Sequence, residues 1–257
     1  MTSRLSKRTL LIVAALLVAV ALGSGLAGAW LGKQYERNRT CCQVPMGRNI
    51  LLTFKESVGL AQFPSQIGQD KWVSESVFPG VTNGFFVDVG SADGTIQSNT
   101  KALEAKGWTG LCVDPFPRNM QDRTCQMFKE VVFSEAGRHL TFKAASDIGG
   151  IVDTLGAWKD LAMKAKGVEF TTTTLADILE RARAPQFIHF VSLDVEGAEL
   201  EALKAFPFDR HQMGALAVEH NYEEPKRTEI EALMKSKGYR RSHTWQQDDF
   251  YVPHSKK

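Results

Sequence analysis

The run Phe85-Phe86-Val87-Asp88-Val89-Gly90-Ser91-Ala92-Asp93-Gly94 constrains the fold of this chain more than any other segment. Its first five residues are apolar enough for a strand buried on both faces, and Gly90 and Gly94 let the backbone turn sharply where that strand ends. Gln97 to Lys106 has helical character, so the unit reads strand, turn, helix. In open α/β sheets that crevice is where ligands bind. A second apolar strand, Leu111-Cys112-Val113, ends at Asp114, where an acid can accept hydrogen bonds from both hydroxyls of a ribose. The candidate cofactor residues are therefore Asp88, Gly90, Ser91, Asp93, Gly94 and Asp114. The turn departs from the dinucleotide pattern G-x-G-x-x-G, since Ala92 and Asp93 fill its interior and no pyrophosphate cradle is evident. An aspartate beside the turn suits a ligand with a cationic amino group, which favours S-adenosylmethionine over NAD.

Downstream, strand and helix patterns alternate as in a mostly parallel, doubly wound α/β sheet. Met127 to Phe133 and His139 to Ala145 read as strands, and Asp147 to Lys166 as a glycine-rich turn with a helix. Thr174 caps a helix from Leu175 to Arg183. Phe187 to Val195 reads as a buried strand, Leu200 to Phe206 as a helix, Ala215 to Val218 as a strand and Glu223 to Lys237 as an amphipathic helix. Tyr239 to Trp245 and Phe250 to Pro253 predict a C-terminal antiparallel hairpin at a sheet edge, with Asp248-Asp249 assigned to its turn.

Several separated motifs, in order along the chain, resemble the FkbM-type methyltransferases. They are Ser65-Gln66-Ile67-Gly68-Gln69-Asp70, Phe86 to Gly94, Ser98-Asn99-Thr100, Gly107 to Pro115, Ser192 to Glu199, and Val218-Glu219-His220-Asn221. The resemblance runs from Ser65 to Pro253. It implies a Rossmann-like class I methyltransferase fold, S-adenosylmethionine as methyl donor and, in most cases, O-methylation; it leaves the acceptor open. It also implies that Ser65, Gln66, Gln69 and Asp70 belong to the rim of the active site, although residues that only cap the following helix would look the same.

Two clusters fall where the acceptor is expected. Asp194 and Glu196 follow the strand Phe187 to Val195 and are candidate catalytic residues, whereas Glu199 fits the positive N-terminus of the next helix. Glu219-His220-Asn221 follows the neighbouring strand. Asp194, Glu219 and Asn221 could hold a divalent cation such as magnesium, which would orient a hydroxyl and lower its pKa. Alternatively His220 acts as general base, or it packs structurally. These three readings stand open at this point.

Net charge is only +2 and the basic residues are scattered, so the chain lacks the footprint of a nucleic-acid binder. Thr9 to Leu31 contains no charge and, at 1.5 Å per residue, is long enough for a hydrocarbon core of about 30 Å. We read it as a single transmembrane helix after a basic tail (1–8). A cleaved signal is the alternative, since Arg4, Lys7 and Arg8 precede it and Ala27-Gly28-Ala29 has the form of a cleavage site. Ala15, Ala19, Gly23 and Ala27, with the pair Gly28 and Gly32, would let a partner helix approach in lipid. A linker with a short helix (32–64), the catalytic domain (65–253) and a tail (254–257) complete the organisation.

Basic residues flank both ends of the apolar run, so charge does not orient it. Because S-adenosylmethionine is made in the cytosol, the expected place of the domain is the cytoplasmic side. Four cysteines without metal spacing predict reduced thiols there. A membrane setting suits a small-molecule, sugar or lipid-like acceptor. The competing class of function is a scaffold subunit of a membrane complex that keeps the fold without the activity.

Overall fold

The computed structural model describes residues 62–145 and 148–254. The expected membrane span Thr9 to Leu31, its small-residue stripe and most of the linker lie outside them. No helix among the described residues is long and apolar enough to cross a membrane.

The apolar segments form the expected sheet. Strands β1 (Phe85–Val89), β2 (Thr109–Val113), β3 (Gln126–Phe128), β8 (Phe187–Leu193) and β9 (Gln212–Glu219) pair in parallel. The terminal hairpin, β10 (Tyr239–Trp245) and β11 (Asp248–Pro253), is antiparallel, and β11 pairs antiparallel with β9. The resulting order is β10-β11-β9-β8-β1-β2-β3. This is a methyltransferase-like α/β fold with a mixed sheet.

Both faces of the sheet are buried, which is why the central strands read as unbroken apolar runs. One face carries Val87, Val89, Leu111, Val113, Val191, Leu193, Leu216 and Val218. Against them pack Leu175, Ile178 and Leu179 of helix α4 (Leu175–Arg181), Leu200 and Leu203 of α5 (Glu199–Lys204), and Ile230 and Met234 of α6 (Lys226–Ser236). The other face carries Phe86, Cys112, Phe190, Ala215, Ala217 and Phe250, covered by Val73, Leu103 and Trp108. Val73 lies on a wide π-type turn (Trp72–Val77) that continues the short helix α1 (Gln69–Lys71), and Leu103 on α2 (Lys101–Ala105).

Three expectations need correction. The segment Met127 to Phe133 is two strands, because Lys129 and Glu130 interrupt it: β3 ends the main sheet, and β4 (Val131–Val132) starts another. That second sheet, β4-β7-β5-β6, contains β5 (His139–Lys143), β6 (Gly150–Ile151) and β7 (Gly167–Thr173) and was not foreseen. Between β6 and β7 the expected helix is a single turn, α3 (Lys159–Ala162). Finally, the thiols are not all reduced: Cys112 on β2 and Cys125 just before β3 form a disulfide.

Candidate active site

The side of the site expected to hold the donor is built around the turn after β1. Gly90 has φ +83°, and a Cβ there would lie 1.6 Å from the carbonyl oxygen of Asp194. Only glycine lets the turn pass so close to the end of β8. The backbone amides of the turn are already engaged within the protein. Gly90 and Ser91 donate to the Val113 carbonyl, Ala92 to Asp114 Oδ2 (2.9 Å) and Gly94 to the Arg118 carbonyl. With these bonds made, the turn is held by the protein's own carbonyl and carboxylate oxygens.

Four of the six candidate cofactor residues build the frame of the turn. Gly90 and Gly94 are steric necessities, since a Cβ on Gly94 would meet the Asn119 carbonyl at 2.6 Å. Asp93 braces the turn: its Oδ1 accepts from the amides of Thr95 and Ile96, and its Oδ2 from Asn119 Nδ2. Asp88 is 3 % exposed and accepts from Thr100 Oγ1 at 2.5 Å. Burial pushes its carboxyl up, with the Arg123 guanidinium opposing. Arg123 in turn donates to Thr100 Oγ1 and pairs with Glu104, so Asp88 is sealed beneath the turn. Asp114 and Ser91 remain as the candidates for contact with a ligand. Asp114 is half-buried, with one oxygen on Ala92 N and the other on Phe116 N (2.7 Å). The buried hydroxyl of Ser91 has no partner among the described residues.

The arrangement of the two candidate clusters follows from strand register. Leu193 is opposite Val218, so the next residues, Asp194 and Glu219, are neighbours, and Glu219 is opposite Asp248 of β11. Alternation puts Asp248 on the face of Phe250, which pairs with Ala217. Three carboxylates thus stand side by side across three strands. Carboxylate oxygens of Asp194, Glu196 and Glu219 lie within 4.8 Å of one another. Burial, then repulsion from neighbouring carboxylates (Asp248 foremost for Asp194, and Asp194 for Glu196 and Glu219), pushes all three above the usual carboxylate range. Burial likewise raises Asp248 to about 7, against a hydrogen bond from Gln69 Nε2 (2.9 Å).

Asn221 donates Nδ2 to Glu219 Oε2 (2.6 Å) and Glu196 Oε2 (3.4 Å). The amide nitrogen bridges these two acids, and Glu196 joins Asp194 and Glu219 in the carboxylate cluster that could hold a metal. Glu199 accepts from the amides of Val195 and Gly197 and from Lys226 Nζ, fastening the loop as expected of a residue at a helix start. A Cβ at Gly197 would lie 2.0 Å from the Thr154 carbonyl, so the segment after β6 packs directly on this loop.

His220 is turned to the opposite face of the sheet. Its Nδ1 accepts from Tyr222 N, and its Nε2 lies 3.7 Å from Asp249 Oδ1. Burial holds it down at about 4. Asp249 sits among Arg227, Arg241 and Thr244, whose hydrogen bonds outweigh its burial and keep it at about 2. Of the open readings for His220, this placement is the structural one.

Asp248 was missed because two adjacent aspartates after Gln246-Gln247 look like a turn. Counting back by two from Phe250 would have put Asp248 on the site's face. Gln69 and Gln66 do reach this end of the sheet, through Asp248 and Gln247, while Asp70 accepts from Ser65 and Lys71 locally.

Chemically, the end of β2 carries a half-buried acid, and the strand ends beside β1 carry a cluster of carboxylates that burial raises above their usual range. A family model described as the methyltransferase FkbM domain matches residues 88–241. No curated protein matches the chain. Among solved structures, a putative RNA methyltransferase from Pyrococcus horikoshii is 12 % identical, with 82 % of this chain and 85 % of that chain covered, at a TM-score of 0.32, too low to carry an argument. The family model, in contrast, spans more than half of the sequence and contains both sides of the site, and the chain belongs to the FkbM methyltransferase family.

Proposed function

We propose that this methyltransferase takes its methyl group from S-adenosylmethionine and passes it to a hydroxyl of a small-molecule, sugar or lipid-like acceptor, while held at a membrane by Thr9 to Leu31. The observation that supports the reading is the close approach of Gly90 to the Asp194 carbonyl, which leaves no room for a Cβ between the turn after β1 and the carboxylates beyond β8. Asp114 would hold the ribose, and the acceptor would lie beside Asp194, Glu196 and Glu219. The acceptor oxygen attacks the methyl carbon, the carbon–sulfur bond breaks, and sulfur leaves with the electron pair as the thioether. The hydroxyl proton passes to a carboxylate of the row. Alignment of donor and acceptor supplies most of the acceleration.

A divalent cation such as magnesium is the second reading, favoured by the three carboxylates within 4.8 Å. Asp194, Glu196 and Glu219 would hold it, and it would supply a Lewis acid.

Titration calorimetry of the full-length chain in detergent tests the donor. Asp114→Ala should weaken S-adenosylmethionine binding by roughly 1.5–3 kcal/mol with the fold intact. Unchanged affinity rejects the placement, and absence of binding by the wild-type chain favours the scaffold alternative. Once an acceptor is found, chelator-sensitive turnover lost in Asp194→Asn supports the metal, and chelator-insensitive turnover supports a carboxylate base.

A further inference from the structure

The stretch between Cys112 and Cys125 forms one wall of the donor site. It holds Asp114, whose carboxylate accepts from Ala92 N. Its backbone at Arg118 exchanges hydrogen bonds with Ala92 and Gly94. Asn119 holds Asp93, and Arg123 reaches the Gly94 carbonyl and the hydroxyls of Ser98 and Thr100, the latter being the group that binds Asp88. Every tie that shapes the glycine turn from this side thus comes from one short loop. The disulfide joins its two ends, from β2 to the residue before β3. Cys112 is fully buried. A covalent closure of this kind restricts the loop far more than the few backbone pairs of a three-residue strand.

We propose that the Cys112–Cys125 cross-link is part of the construction of the donor pocket, and that the domain accordingly matures in an oxidising compartment, on the side of its membrane away from the cytosol. Disulfides persist in such compartments, whereas the cytosol keeps thiols reduced. The inference rests on the donor reading above and reverses the cytoplasmic placement expected from donor supply. In forming, the two thiols lose two protons and two electrons to a disulfide of the compartment's thiol oxidoreductases, which becomes a dithiol. S-adenosylmethionine must then reach the domain by transport across the membrane.

The first test maps thiols in native membranes, with free thiols alkylated before lysis. Trypsin releases Cys112 on peptide 107–118 and Cys125 on peptide 124–129. Without reductant the two peptides should run linked, and recovery of both as alkylated thiols overturns the proposal. In sealed vesicles with the cytosolic face outward, added protease should spare the domain until detergent is supplied; digestion without detergent overturns the placement. The second test is calorimetry of the purified full-length chain with S-adenosylmethionine. The double variant Cys112→Ala/Cys125→Ala should still melt cooperatively but bind at least tenfold more weakly. Wild-type affinity in the double variant overturns the pocket role. Failure of the donor reading would look different, because the oxidised wild-type chain itself would not bind or would not respond to Asp114→Ala.

Discussion

Gly90 and Gly137 have nearly the same backbone angle, φ +83° and +81°, yet a side chain at each meets different surroundings. Nothing lies within 4 Å of a Cβ at Gly137, so Gly137→Ala should cost only the left-handed conformation, roughly 1–2 kcal/mol. At Gly90 the Cβ would overlap the Asp194 carbonyl as well. Gly90→Ala should therefore cost at least about 4 kcal/mol or prevent folding, as urea unfolding of the two variants would show. His220 shows the converse limit of reading single residues. Its type suited a general base, but whether a residue after a strand faces the site depends on odd and even positions, and Glu219 takes the site's face.

At the scale of elements, α4 is nearly self-explanatory. Thr174 Oγ1 accepts from Asp177 N, and Asp177 Oδ2 accepts from Thr174 N, a reciprocal cap that a threonine three residues before an acid announces in the sequence. Thr174→Ala should cost about 1 kcal/mol in urea unfolding and leave donor affinity unchanged, because the cap touches no residue of the site. The terminal hairpin was legible as two strands and a turn. Its insertion was not: β11, the later strand, lies between β9 and β10 and carries Asp248 to Glu219. Hydrophobic alternation specifies a strand's faces without naming its neighbour.

Across the whole molecule, charge burial sets a pH dependence. Asp70 is raised to about 6 and Asp248 to about 7, chiefly by burial, and Asp194, Glu196 and Glu219 are raised as well. A carboxyl raised on folding binds its proton more tightly in the native state, so its contribution is largest below the unfolded value and is lost as pH rises through the folded one. His220, lowered to about 4, works in the other direction between that value and its ordinary 6.5. Above pH 6.5 the carboxylates act without that opposition. The melting temperature should fall from pH 6.5 to pH 9, and Asp248→Asn should raise stability at pH 8 by roughly 1–2 kcal/mol and flatten the profile. Differential scanning calorimetry across that range checks both, and a flat wild-type profile would mean that the row is ionised without penalty.

What the sequence determined by itself was local. The strand, glycine turn and acid from Phe85 to Asp114, the capped helix after Thr174 and the apolar runs of the central strands all follow from the periodicity and turn chemistry of near neighbours. Those short-range rules sufficed for the main strands, for the glycine turn after β1 and for the position of Asp194 and Glu196 just beyond β8. Tertiary structure alone decided the second sheet, the Cys112–Cys125 bond, the sealing of Asp88 by Thr100 and the row of Asp194, Glu219 and Asp248. Each depends on which strand lies beside which and in what register. That choice is made by packing both faces of the sheet at once, and no window along the chain contains both partners.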